Sequence, residues 1–230
     1  VFNMVGFVLA GGAIMRYGTP EQQSMHLSST LATEHVWCQL FSEPGAGSDL
    51  GSLSTRAELE GDHYVVNGQK IWTSRAEYSD LMVLLARTTP KEQSKKRTDG
   101  LSVFIVDMRE VKGKGLEIRP IRTMMNHATT EVFFTDMKVP AENLIGEEGK
   151  GFRYILSGMN AERILIAAEC IGDAKWFIAK ATNYAKERSV FGRPIGQNQG
   201  IQFPIAKAYA SMRAAELMVN QGVAPLTSFP

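Results

Sequence analysis

The spacing of hydrophobic positions changes twice along the chain. Up to about residue 35 it is helical: a small-residue apolar run over 5–14, then Gly18-Thr19-Pro20-Glu21, where Thr19 is placed to cap a helix and Pro20 sits at its first position. From residue 36 to 145 the pattern shortens to β-rich runs between turn signals, predicting strands over 36–42, 54–59, 64–72, 81–87, 101–107, 116–121 and 131–139. Gly61-Asp62 marks a turn, and Asn67-Gly68 is a tight-turn signal that divides the third run. So many short strands in roughly 100 residues predict an antiparallel barrel or sandwich rather than βαβ units. The charged stretch 91–100 (KEQSKKRTDG) reads as an exposed hairpin loop, its basic run as a solvated surface rather than an anion patch.

After Gly149 helical spacing returns. Residues 152–188 contain no proline, predicting a helix about 55 Å long at the usual rise per residue. Pro194 and Gly196 break it, and a second helix is expected over 203–221 with Pro204 in its first turn. A globule of this length is about 45 Å across. Two such helices therefore read as an incomplete four-helix bundle, whose other faces come from residues outside this sequence or from another subunit. The tail 222–230 is expected to stop the second helix, and the chain reads as truncated at both ends. The expected class is α+β: the end of a helical domain over 1–35, a β-domain over 36–146, and the first part of a helical domain over 147–230.

Composition narrows the function. Hydrophobic residues make up 44% and charged residues 21%, with a formal net charge of +1. That is an ordinary globular composition, with no overall field for nucleic acid or an anionic membrane. The 5–14 run is about half the length of a membrane span. Cys38 and Cys170 form no C-x-x-C pair, and His26, His35, His63 and His127 show no ligand spacing, so neither a disulfide framework nor a metal site is expected.

Four segments carry candidate chemistry. In Ser42-Glu-Pro-Gly-Ala-Gly-Ser-Asp49 the glycines allow close backbone approach and their N–H groups can form an anion nest. It is neither a G-x-G-x-x-G fingerprint, which needs a following helix, nor a P-loop, and a plain tight turn fits it as well. Trp72-Thr73-Ser74 ends a strand with an aromatic face and two hydroxyls, which suits a planar heterocycle or a barrel rim. Glu162, among Met159, Ile164, Leu165 and Ile166, reads either as a desolvated base or as a helical carboxylate paired with Arg163. Arg188 either complements a helix C-terminus or reaches a pyrophosphate.

Taken in order, these segments resemble the acyl-CoA dehydrogenases over about residues 18–219. The anchors are Gly18-Thr-Pro-Glu-Gln-Gln23, Phe41-Ser-Glu-Pro-Gly-Ala-Gly-Ser-Asp49, Asn67-Gly-Gln-Lys-Ile-Trp72, Phe133-Phe-Thr-Asp-Met-Lys-Val-Pro140, Gly149-Lys-Gly-Phe152 and Arg188-Ser-Val-Phe-Gly192. The resemblance implies FAD-dependent α,β-dehydrogenation of an acyl-CoA thioester. Gln39, Phe41, Ser42, Gly47 and Ser48 would line the flavin, with Trp72, Thr73 and Ser74 beside its ring. Most members have Thr where Ser74 stands, and Ser keeps the hydroxyl. Arg188 and Gln199 would hold the FAD of a neighbouring subunit, and Ser48, Asn160 and Arg163 would touch substrate. Two places fit the base: Glu162, or a glutamate beyond Pro230. The resemblance also implies a homodimer or homotetramer, an electron-transfer flavoprotein as acceptor, and a bacterial cytoplasmic or mitochondrial matrix location. An acyl-CoA oxidase-like flavoprotein and a non-catalytic fragment are the alternative readings.

Overall fold

The computed structural model describes residues 3–124 and 128–227, which form two compact units, Val1–Met159 and Asn160–Pro230. His127 lies outside the described residues. The first unit opens with a π-helical turn (Val5–Ala10), α1 (Gly11–Tyr17) and α2 (Pro20–Leu31). Thr19 starts α2 as its residue type predicts. Its hydroxyl accepts the Gln22 N–H while the Gln22 side chain accepts the Thr19 N–H, a reciprocal capping box. Gln22 also donates to the carbonyls of Glu142 and Leu144, at 2.7 and 2.9 Å, which fastens α2 to the end of the β-region.

Seven strands follow: β1 (Trp37–Leu40), β2 (Arg56–Glu60), β3 (His63–Ser74), β4 (Leu81–Arg87), β5 (Leu101–Asp107), β6 (Leu116–Pro120) and β7 (Thr129–Pro140). A short helix, α3 (Met108–Val111), follows β5. The strands form one curled sheet ordered β1-β4-β2-β3-β7-β6, with β5 paired to β4. Most pairings are antiparallel, but β1 runs parallel to β4 and a single parallel pair, Arg56 with Arg87, joins β2 to β4. Connections that place β1 beside β4 rather than β2 account for this departure from an all-antiparallel sheet. Residues 91–100 form the expected link between β4 and β5.

All seven residues of β4 are buried. Its even positions (Met82, Leu84, Ala86) join a cluster with Tyr64, Val66, Phe104, Val132, Phe134 and Val139 inside the curl. Its odd positions (Leu81, Val83, Leu85) join Ile14, Trp37, Phe41, Leu53 and Ile105 under the N-terminal helices. Each large apolar side chain buried this way contributes roughly 1.5–3 kcal/mol. This strand therefore outweighs the Thr19 cap, which is worth about 1 kcal/mol.

Asn67-Gly68 does not divide β3, contrary to the turn signal. Gly68 (φ +151°) lies flat against β2's entry, where a Cβ would fall 2.5 Å from the Thr55 hydroxyl. The irregularity passes to β7, where the register slips between Val66/Met137 and Gly68/Phe134. Asp136 there takes a positive φ (+50°), pinned by Asn67, which donates to the Asp136 carboxylate at 3.0 Å and accepts its N–H at 2.9 Å.

The long helix α4 (Gly151–Glu187) starts in the first unit and continues into the second. Gly151 allows its first turn to sit on β5, since a Cβ there would lie 2.7 Å from the Ser102 carbonyl carbon. In the second unit α4 leads through a hairpin, β8 (Ser189–Val190) and β9 (Arg193–Pro194), to α5 (Gln199–Thr227). The helices run antiparallel: Gly222 lies beside Ile164, Lys175 pairs with Glu216, and Gly196 abuts Ala185. α5 is longer than its pattern predicts at both ends, so Pro204 falls beyond the first turn. The helix continues past the expected stop as far as Thr227. Among the described residues no helix is long and apolar enough to cross a membrane.

Gly68→Ala is expected to lower unfolding free energy by about 2 kcal/mol or more, through overpacking against Thr55 and a disfavoured φ. Urea denaturation measures it, and an unchanged midpoint would contradict the close approach.

Candidate functional site

Strand β1 delivers the first group of residues. Gln39 pairs with Val83 of β4 and is half-buried, and Phe41 is buried under the helices. The chain then lies along β3, where the Ser42 carbonyl accepts the Ile71 N–H at 2.9 Å. A tight turn follows in which Glu43 and Ala46 exchange both backbone hydrogen bonds, at 2.9 and 3.0 Å. Gly47 and Ser48 emerge exposed. A Cβ at Gly45 or Gly47 would meet no atom of the described residues within 4 Å, and neither has a positive φ. Nothing among the described residues demands glycine at these two positions.

The second group comes from a bulge in β3. Lys70 faces Val132 and Thr73 faces Thr130, so Ile71 and Trp72 together oppose the single residue Glu131. Alternation along the strand puts Tyr64, Val66 and Lys70 inside, and Trp72 would follow them. The bulge shifts the parity by one: Thr73 turns inward and Trp72 turns out, with 62% of its surface exposed. Trp72 adopts φ +62°, a costly conformation for a bulky side chain. The Thr130 hydroxyl donates to the Thr73 carbonyl at 2.9 Å, and Ser74 is exposed. The Ser42–Ile71 bond brings the turn and the bulge to one edge, which offers an indole face, small hydroxyls and an open glycine turn.

Beneath this edge is a buried ion pair that the sequence pattern did not single out. The Lys70 ammonium donates to the Phe41 carbonyl and to Glu43 Oε1, both at 2.9 Å, and its side chain is wholly buried. The Glu43 carboxylate also accepts the Ser54 N–H and hydroxyl at 2.7 and 2.8 Å and the Thr55 N–H at 2.9 Å. Burial alone would raise the Glu43 carboxyl, but the Lys70 charge and these donors outweigh it and hold it at about 2. Nearby, the Arg87 guanidinium donates to the carbonyls of Gly51, Leu53, Thr89, Arg97 and Asp99, fixing the two loops around it. One signal for Lys70 was available: strand alternation puts a lysine on the inner face, and a buried ammonium requires a carboxylate.

In the second unit, Glu162 is half-buried on α4, and Arg163 donates to Asn160 Oδ1 at 2.6 Å. Arg188 is exposed at the end of α4, and its carbonyl accepts the Ile195 N–H at 2.8 Å, closing the hairpin. The hairpin's tip carries Phe191, 99% exposed at φ +52°. Gln199, exposed, begins α5.

Residues 38–137 match the family model for the acyl-CoA dehydrogenase middle domain, and residues 149–227 match that for the acyl-CoA dehydrogenase C-terminal domain. The chain belongs to the acyl-CoA dehydrogenase family. Cyclohex-1-ene-1-carbonyl-CoA dehydrogenase of Syntrophus aciditrophicus is 37% identical over 217 residues, covering 91% of this chain and 50% of the relative. The short-chain-specific acyl-CoA dehydrogenase of Clostridium acetobutylicum is 37% identical over 215 residues, covering 92% and 55%. The crystal structure of the Geobacillus kaustophilus acyl-CoA dehydrogenase superposes with a TM-score of 0.87 at 32% identity, covering 96% of this chain and 57% of that one. The chain thus spans about half the length of the acyl-CoA dehydrogenases it matches.

Because the folded carboxyl of Glu43 lies below its ordinary value of 4.5, its contribution to stability is present above 4.5 and is lost as pH falls through about 2. Glu43→Gln is therefore expected to be less stable than wild type at neutral pH, with the gap closing in acid. Urea denaturation at a series of pH values tests this, and a gap that stays constant would contradict it.

Proposed function

We propose that this acyl-CoA dehydrogenase family member oxidises the Cα–Cβ bond of an acyl-CoA thioester with FAD as its cofactor. The observation that carries the reading is Trp72, turned outward at a strained φ beside the Ser42 turn. Such strain persists where the surroundings impose it, and such positions cluster at ligand sites. Open space at Gly45 and Gly47, which no contact among the described residues explains, also fits the close approach of a ligand. These residues fit a flavin: Trp72 as an aromatic wall, Ser42, Thr73 and Ser74 as small polar groups, Gln39 and Phe41 as the strand behind, and Gly47 and Ser48 on the turn. When bound, FAD supplies the acceptor for the hydride that leaves Cβ.

The chain's own part begins with the α-proton. A thioester α-carbon is a weak acid, so the base must be partly desolvated and the carbonyl oxygen must be met by donors as charge develops. Glu162 is the proposed base. Asn160 and Arg163, joined to one another, are proposed to contact substrate on the same helix, with Ser48 toward the CoA arm. Glu162 on α4 and Arg188 just past its end are 26 residues apart, about 39 Å along the helix axis at the usual rise. That separation supports assigning Arg188 and Gln199 to the cofactor of a second copy, and hence a homodimer or homotetramer. An electron-transfer flavoprotein as acceptor, and a bacterial cytoplasmic or mitochondrial matrix setting, belong to the same proposal.

The test is the visible spectrum of the protein reconstituted with FAD, before and after anaerobic addition of acyl-CoAs of graded chain length. The flavin band is expected to bleach, and Glu162→Gln to bind FAD normally while bleaching about 10²–10⁴-fold more slowly. Bleaching at the wild-type rate in the variant moves the base elsewhere, and failure to bind FAD overturns the reading.

A further inference from the structure

We infer that the Lys70–Glu43 ion pair is a positioning device that ties the turn after β1 to the bulge in β3, and so sets the edge formed by Ser42 and Trp72. The inference rests on the reading of that edge as the flavin site. Three observations carry it. The ammonium bridges two points of the turn, the Phe41 carbonyl and the Glu43 carboxylate, on either side of Ser42. It is mounted two residues before Trp72, on the strand that also gives the Ile71 N–H to Ser42. Each Glu43 oxygen is engaged, with Ser54 and Thr55 holding the carboxylate from the opposite side. The turn is thus held by Lys70 on the one hand and by Ser54 and Thr55 on the other.

Stability alone does not account for the pair. Burying two charges carries a desolvation cost that often cancels their attraction, and apolar replacements of similar size are often no less stable. A geometric role fits better, because a buried and fully satisfied polar network fixes one arrangement where an apolar contact tolerates several. Trp72 needs such surroundings, since nothing in its own backbone preference holds it at φ +62°.

The experiment separates positioning from folding. Lys70→Met alone leaves a buried carboxylate without its cation and is expected to fold poorly. The double variant Lys70→Met/Glu43→Gln removes both charges, keeps one acceptor oxygen for either the Ser54 or the Thr55 donors, and is expected to recover part of the lost stability. Amide hydrogen exchange at Ile71, Glu43 and Ala46 and FAD affinity are then measured on wild type, on the double variant, and on Val139→Ala, a core cavity remote from the turn. In the double variant the three amides are expected to exchange faster while β4 and β5 keep their protection. FAD affinity is expected to fall about tenfold or more, the size of one lost charge-assisted bond. Val139→Ala is expected to lower the unfolding midpoint while leaving FAD affinity within about threefold. Wild-type exchange at Ile71 in the double variant overturns the inference whether or not flavin binds, and so does faster exchange with undiminished FAD affinity. Absence of FAD binding by wild type instead overturns the functional reading, while the exchange data still decide whether the pair holds the turn.

Discussion

Strand β4 is buried on both faces, and a strand so placed needs apolar cover on two sides. The two sides are covered differently. Tyr64, Phe104, Phe134 and Val139 close over the even positions as the sheet curls, while Ile14, Trp37, Phe41 and Leu53 close over the odd ones. Ala13 and Ile14 of α1 are both buried within that second cluster. Gln22 then secures α2 with two hydrogen bonds to carbonyls beyond β7. β1, held against β4 in parallel, therefore ends at a rigid place, and the turn that follows starts from a fixed point.

From that point the candidate site is made by one local break in regularity. A strand with strict alternation would bury Trp72 on the face that Lys70 occupies. One extra residue in β3 reverses the parity and turns the indole out, at the cost of an unpaired position and a strained φ. The same strand face carries a charge where an apolar residue is expected. Two departures from the simplest pattern thus fall within three residues of each other, at the edge where the glycine turn arrives. Breaches of local rules concentrated in one place are what a functional site leaves in an otherwise consistent fold.

Much of this is legible in the sequence. Thr19-Pro20 fixed the start of α2, because a hydroxyl acceptor followed by a residue without an N–H suits a helix's first turn in any context. The β4 and β5 bounds followed from apolar runs cut off by Arg87 and Asp107. The parallel pairing of β1 with β4 was not legible, because strand order is decided by long-range packing that leaves no mark on either strand's period. Asn67-Gly68 misled because Gly68 serves a close approach to Thr55 rather than a reversal, and a glycine is required by both. Lys70 and Glu43 were overlooked for a related reason: a charge reads as exposed until its partner, 27 positions away, is placed beside it.

The second unit poses the opposite problem. α4 and α5 cover each other along one seam, marked by Ile164 beside Gly222 and by the Lys175–Glu216 pair, yet Trp176, Phe177, Tyr184, Phe203 and Leu217 are exposed. Two antiparallel helices can bury only the faces they turn to each other, and apolar patches of this kind mark surfaces that pack against something further. This bears on the proposed chemistry. A carboxylate becomes a competent carbon-acid base when water is kept from it. Glu162 is only half-buried. What covers that stretch of α4 therefore bears on the proposed reaction, whereas the edge formed by Ser42 and Trp72 is carried by the β-region itself.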